Sequence, residues 1–168
     1  GNGFRALYGR TGNEQLLMRA IACYEQAILP EERGVQAAGQ WSNLGTAYHD
    51  LYLRTGEVAA LMQAESAYRY SVNLAPPECP ERAGFLNNLG TGLCDRLKRE
   101  AAPSLLDEAI DCFAEAVERA SSAGSRRSLF FDNLGQVLRQ RFTDRGDEAD
   151  IEAAIDALAQ GTEAFAAE

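Results

Sequence analysis

One tripeptide recurs along the chain at equal spacing. Asn-Leu-Gly occupies residues 43–45, 88–90 and 133–135, so each copy lies 45 residues after the one before it. A fixed period of about 20 to 50 residues is typical of repeat proteins, whose units bury their apolar faces only by stacking on their neighbours. The period therefore predicts an array of similar units instead of a fold built around one central core.

Each repeat contains two segments with helical patterning. The first carries one apolar stripe, made of Trp41, Leu44, Tyr48 and Tyr52, then Leu86, Leu89, Leu93 and Leu97, then Phe131, Leu134, Leu138 and Phe142. The second places a large residue between small ones: Ala20, Tyr24 and Ala27; Ala64, Tyr68 and Ser71; Ala109, Phe113 and Ala116; Ala154, Leu158 and Gly161. Small residues let two helices approach closely while the large side chain fills the space between them. Each repeat is therefore predicted to be a pair of packed helices.

Breaker residues set the predicted helix boundaries. Gly12, Gly56 and Gly146 separate the two helices of a repeat, and segments rich in Pro or in Ser and Gly separate the repeats. We predict an all-α chain with first helices at 1–9, 33–53, 81–99 and 126–143, and second helices at 14–29, 58–74, 104–120 and 148–166. The repeat units then cover about 1–32, 33–77, 78–122 and 123–168 of a single repeat domain, 1–168. Because Gly1 aligns with Gly45, the first residue is expected to fall within a helix, as in a fragment of a larger protein.

The repeat pattern resembles that of the tetratricopeptide repeat family. Trp41-x-x-Leu44-Gly45-x-x-Tyr48 matches the first-helix signature, and Ala64-x-x-x-Tyr68 followed by Pro76 resembles the second half. The units are longer than the usual repeat of about 34 residues. In this they are similar to the repeats of kinesin light chains, and 53–56 and 75–83 are similar to repeats that precede caspase-like protease domains. The resemblance implies a right-handed α-solenoid of helical hairpins.

In the family that the chain resembles, the first helices line a concave surface that binds peptides. The polar positions beside each buried stripe are then the candidate binding residues: Asn43, Thr46 and Asp50; Asn88, Thr91 and Asp95; Asn133, Gln136 and Gln140. The three asparagines lie one repeat apart, and an amide supplies both the donor and the acceptor that an extended peptide backbone needs. We therefore predict a scaffold that binds a protein segment in its concave groove. The alternative is that each asparagine caps or braces a neighbouring helix.

Charge limits the class of partner. The formal net charge is −9, which disfavours nucleic acid and anionic membranes through repulsion. Asp50, Asp95 and Asp132 near the predicted groove favour a neutral or basic peptide over an acidic one.

No apolar run approaches the roughly 20 residues needed to cross a bilayer. The four cysteines lack metal-ligand spacing, and they favour a cytoplasmic protein with reduced thiols and no cofactor.

No residue pattern predicts catalysis. His49 and Cys94 occupy equivalent positions in consecutive units, but equivalent side chains of stacked helices lie roughly 10 Å apart, too far for a Cys-His nucleophile. Two acidic clusters, Asp107, Glu108, Asp111, Glu115 and Glu118, and Asp147, Glu148, Asp150, Glu152 and Asp156, have helical spacing. We expect both to form solvated outer faces without bound metal. The sequence thus predicts a protein that is not an enzyme by itself.

Two other functional interpretations remain open. The chain could be the regulatory or sensing part of a multidomain signalling effector, such as a caspase-like protease or an ATPase. It could also be a self-assembly module, because the uncapped ends of a repeat array expose apolar side chains such as Phe4, Leu7 and Phe165.

Overall fold

The computed structural model of the 168-residue chain describes residues 1–29, 32–100, 102–120 and 126–166, and within these ranges it contains eight α-helices and no strand. The helices are α1 (Asn2–Thr11), α2 (Glu14–Ala27), α3 (Val35–Thr55), α4 (Val58–Leu74), α5 (Arg82–Leu97), α6 (Pro103–Arg119), α7 (Arg127–Arg145) and α8 (Glu148–Ala166). The predicted all-α class is confirmed. In the described part of the chain, none of these helices combines the length and the apolar character that a membrane span requires.

The chain divides into two compact units, Gly1–Glu81 and Arg82–Glu168. In the first unit α1 packs on α2, α2 on α3 and α3 on α4, and in the second α5 packs on α6, α6 on α7 and α7 on α8. The division lies close to the boundary predicted between the second and third repeat units, at residues 77 and 78. Each compact unit therefore holds two of the helix pairs that the period predicts.

Three of the turns inside helix pairs end on a glycine in the left-handed conformation. Gly12, Gly56 and Gly146 have φ values of 65°, 73° and 74°, and their N–H groups donate to the carbonyls of Tyr8, Tyr52 and Phe142. Glycine adopts this conformation at low cost because it has no Cβ, so it ends a helix and reverses the chain at once. The equivalent position of the third repeat is Ala101, which lies outside the described residues.

In each helix pair, a glycine in or just before the first helix contacts a large side chain of the second helix. The pairs are Gly1 with Tyr24, Gly45 with Tyr68, Gly90 with Phe113 and Gly135 with Leu158. A Cβ added at Gly45, Gly90 or Gly135 would lie 2.6 Å, 2.7 Å or 2.6 Å from these side chains, closer than van der Waals contact permits. Helix pairs packed this closely accept only glycine at the contact point. The same contact therefore recurs in all four helix pairs.

The apolar core of the first unit continues from α1 to α4. Leu17, Ile21, Tyr24, Leu44, Ala47, Leu51, Tyr52, Ala60 and Leu61 are buried in one cluster. Phe4, which the sequence places at an exposed end, is half-buried against this cluster, with the Arg19 guanidinium 5.8 Å from its ring centroid. The expectation that Phe4 is exposed is therefore wrong, because α2 covers it. Leu7 and Phe165 are exposed as expected.

Candidate binding face of the first helices

The nine predicted binding residues all lie on first helices, three each on α3, α5 and α7. We call Asn43, Thr46 and Asp50 the α3 face, and Asn88, Thr91, Asp95, Asn133, Gln136 and Gln140 the α5/α7 face. The two faces belong to different compact units. Their local geometry decides which of these side chains is available to a partner.

On the α3 face, Asp50 is held by a residue that sequence reasoning missed. Arg5 of α1 donates from Nε to Oδ2 of Asp50 across 2.8 Å. Thr46 Oγ1 donates to the carbonyl of Ser42, and Asn43 is half-buried. The ion pair joins one first helix to the next, and its two residues are 45 positions apart. That separation of one repeat is the sequence signal that could have identified Arg5.

On the α5/α7 face, Asn133 is used inside the protein. Its Nδ2 donates to Oδ1 of Asn87 across 2.7 Å, and Asn87 is buried with 8% of its surface exposed. The contact joins α7 to α5, so Asn133 braces the neighbouring first helix, which was the alternative considered for the asparagines. Thr91 Oγ1 likewise donates to the carbonyl of Asn87. Sequence reasoning missed Asn87 because the recurring tripeptide begins one position later.

The remaining residues of the α5/α7 face differ in exposure. Asp95 is buried and accepts from Lys98 Nζ at 2.6 Å, Gln140 donates to Asp144 across 2.8 Å, and Gln136 is exposed. Asn88 is half-buried. The predicted ladder is therefore not a row of three equivalent free amides, since Asn133 bonds to Asn87 of the neighbouring first helix and Asn88 also makes an interaction within the chain.

The acidic clusters differ from the expected solvated faces. Asp150 of α8 is buried, with 4% of its surface exposed, and it accepts two hydrogen bonds from Arg141 of α7, at 2.9 Å from Nε and 2.5 Å from Nη2. Asp107 of α6 accepts from Arg141 at 3.2 Å and from Arg145 at 2.8 Å. Glu115 accepts from Arg82 and Arg119. The expectation of a solvated face is wrong for Asp150, which is buried, whereas 43% of the Asp107 side chain and 33% of the Glu115 side chain remain exposed. It holds for exposed members such as Asp111 and Asp156.

These arginines lower the pKa of the carboxyl groups that they contact. The hydrogen bond from Arg141 is the largest cause for Asp150, and the hydrogen bond from Arg145 is the largest for Asp107. For Glu115, burial raises the pKa, but hydrogen bonds from Arg82 and Arg119 outweigh it, so the net direction is also downward. Each of these three carboxyl groups therefore stabilises the folded state when it is ionised.

We expect the free energy of unfolding to fall as the solution is acidified. A carboxylate with a lowered pKa in the folded state stabilises the fold above its unfolded pKa of about 4, and this contribution is lost as pH falls through the folded value. Urea denaturation between about pH 7 and pH 3 should show the decline beginning below about pH 5. Asp150→Asn should have a shallower decline than wild type, whereas Asp156→Asn, exposed on the same helix, should match wild type. A decline that Asp150→Asn leaves unchanged would rule out this cause.

The Cys94 thiol is not activated as a nucleophile. Burial is the largest cause that raises the pKa of Cys94, to about 11, so its thiol is protonated at neutral pH. Cys79 and Cys112 are buried, and Cys23 and Cys94 are half-buried. In the described residues, no group of three or more His, Cys, Asp or Glu side chains is arranged to hold a metal ion.

No protein-family model matches the chain, and no curated protein matches it either. The functional assignment therefore depends on the residues described above. Amides, hydroxyls and paired carboxylates on first helices are suited to hydrogen bonding with a polypeptide.

Proposed function

We propose that the chain is a protein-binding module built as a right-handed α-solenoid of tetratricopeptide-like hairpins, with its first helices forming the surface that holds a peptide. The observation that carries the proposal is that first helix contacts first helix within each unit, through Arg5 and Asp50 in one and Asn87 and Asn133 in the other. Stacked hairpins bring equivalent helices side by side in this way. The recurring glycine contacts give each hairpin the same close packing, so the hairpins are similar units that can stack.

The net charge of the chain favours a neutral or basic peptide segment. Asp50 and Asp95 are already paired with Arg5 and Lys98, so the preference comes from the formal net charge of −9 of the chain as a whole. Three amide hydrogen bonds at about 1 kcal/mol each supply about 3 kcal/mol, less than the roughly 4 kcal/mol of millimolar binding. Apolar contacts with the peptide must therefore add to the binding free energy. We propose a cytoplasmic protein with a binding function and without an enzymatic activity of its own.

Replacing amides that are not part of the Asn87–Asn133 pair should weaken peptide binding. The variant is Asn88→Ala, Gln136→Ala and Gln140→Ala together, all on α5 and α7 of one compact unit. A peptide selected from a random displayed library on the wild-type chain should bind this variant about a hundredfold more weakly, because three hydrogen bonds of about 1 kcal/mol each are lost. Fluorescence anisotropy of the labelled peptide measures the affinity.

The matched control replaces three exposed amides of second helices: Gln63→Ala, Asn73→Ala and Gln160→Ala. It should bind the selected peptide within about twofold of wild type, because surface substitutions away from a contact have little effect. Equal affinities for the two triple variants would show that the peptide binds elsewhere. A library that yields no binder would reject the proposed function.

A further inference from the structure

Helix α8 is a second helix, and it carries a stripe of mostly apolar side chains that is separate from the first-helix faces. Ile151, Ile155, Leu158, Thr162 and Phe165 alternate at spacings of four and three, which places them on one side of the helix. We call these residues the α8 stripe. Ile155, Leu158 and Phe165 are 61%, 38% and 71% exposed. The adjacent side, with Asp150, Ala154, Ala157 and Gly161, is buried, and α8 packs on α7.

The equivalent stripe of α6, one repeat earlier in the same unit, is covered. Leu106, Ile110 and Phe113 are buried there, and α6 packs on both α5 and α7. Phe113 and Leu158 make the same contact with a glycine of the preceding helix, yet Phe113 is 2% exposed and Leu158 is 38% exposed. We attribute the difference to α7, the first helix that follows α6 and packs on it. The α8 stripe therefore has the shape and composition of a surface that receives a helix like α7.

The charged residues beside the α8 stripe indicate which charges a helix bound there should carry. Asp107 of α6 pairs with Arg141 and Arg145, which lie one turn apart on α7. The position one repeat after Asp107 is Glu152, which is exposed on α8. Glu148–Ala166 contains no lysine or arginine, and Asp156 and Glu163 add further exposed negative charge. A helix that covers the stripe is favoured if it carries arginines at positions i and i+4.

We propose that the α8 stripe binds an amphipathic helix with aromatic and leucine side chains on the stripe and two arginines one turn apart on Glu152. The surface is separate from the first-helix faces and receives a helix on its apolar side instead of an extended backbone. A second copy of the chain offers a poorer match. Its α1, aligned with α7 by the repeat period, would place Leu7 and Thr11 at the positions of Arg141 and Arg145.

The test uses a labelled synthetic peptide with the α7 sequence, Arg127–Arg145, added to the whole 168-residue chain and followed by fluorescence anisotropy. Ile155→Asp places a charge in the centre of the stripe and should weaken binding at least about tenfold. Leu53→Asp is the control, because Leu53 of α3 is 64% exposed, close to the 61% of Ile155. It should leave the affinity within about twofold of wild type.

A charge exchange separates docking on the stripe from general stickiness. Glu152→Arg should weaken binding of the α7 peptide, and a peptide with Arg141→Glu and Arg145→Glu should recover affinity for the Glu152→Arg chain. Absence of peptide binding, or equal losses in Ile155→Asp and Leu53→Asp, would overturn the proposal. So would light scattering that shows a concentration-dependent mass abolished by Ile155→Asp in the absence of peptide, because the occupant would then be a second copy.

Discussion

Replacing Gly45 with alanine should lower the free energy of unfolding by about 2 kcal/mol. The added Cβ would lie 2.6 Å from the Tyr68 ring and 3.2 Å from the Ala64 carbonyl oxygen, and Tyr68 is too deeply buried to swing away. Overpacking of this kind costs up to about 3 kcal/mol, and the better helix propensity of alanine returns about 1 kcal/mol. Urea denaturation followed by circular dichroism at 222 nm measures the change.

Gly39→Ala in the same helix is the matched control. No neighbouring atom lies within 4 Å of a Cβ added there. This variant should raise the free energy of unfolding by about 1 kcal/mol, because only the propensity difference remains. Alanine should therefore lower the free energy of unfolding at position 45 and raise it at position 39 of the same helix. Stabilisation by both alanines would contradict the close approach of α3 and α4 at Gly45.

Replacing Arg141 with leucine should cost about 3 kcal/mol of unfolding free energy. Asp150 would lose both hydrogen bonds from the guanidinium and remain as a buried carboxylate without a cation. Removing one partner of a buried ion pair costs about 3 to 5 kcal/mol, and the lower figure applies here because the Arg141 side chain is 25% exposed. The same denaturation measurement at pH 7 gives the value.

Two further variants show whether the buried charge is the cause. Arg139→Leu, at an exposed position of the same helix, should change the free energy of unfolding by less than about 0.5 kcal/mol. Arg141→Leu combined with Asp150→Leu should recover most of the loss, because replacing both members of a buried pair with apolar residues is often neutral. A double variant as unstable as Arg141→Leu alone would show that the lost contacts of the arginine, and not the unpaired carboxylate, set the cost.

The two binding proposals assign different ligands to different surfaces. The first-helix faces offer amides and hydroxyls for a peptide backbone, whereas the α8 stripe offers apolar side chains flanked by carboxylates. A variant of Ile155 should therefore leave a peptide selected on the first-helix faces unaffected. Likewise, the triple amide variant should retain the α7 peptide, so that either proposal can fail alone.

The sequence by itself determined the helices and the turns within each helix pair. Helical spacing of apolar residues depends only on neighbours along the chain, and glycine marks the turns because its backbone preferences are local. The small residues beside Tyr68 and Phe113 also indicated close packing, but the structure shows that these rings contact Gly45 and Gly90. All eight helices were thus predictable with ends within a few residues.

The tertiary structure decided which polar side chains are available. Asn133 and Asn43 share a tripeptide, but only the position of α5 gives Asn133 its partner in Asn87. Asp150 and Asp156 both follow helical spacing in one acidic cluster, yet the approach of Arg141 makes one a buried ion pair and leaves the other in solvent. Local patterns state which face a residue lies on. They do not state which charge or amide from a distant part of the chain packs within hydrogen-bonding distance, because that depends on how the helices are placed in three dimensions.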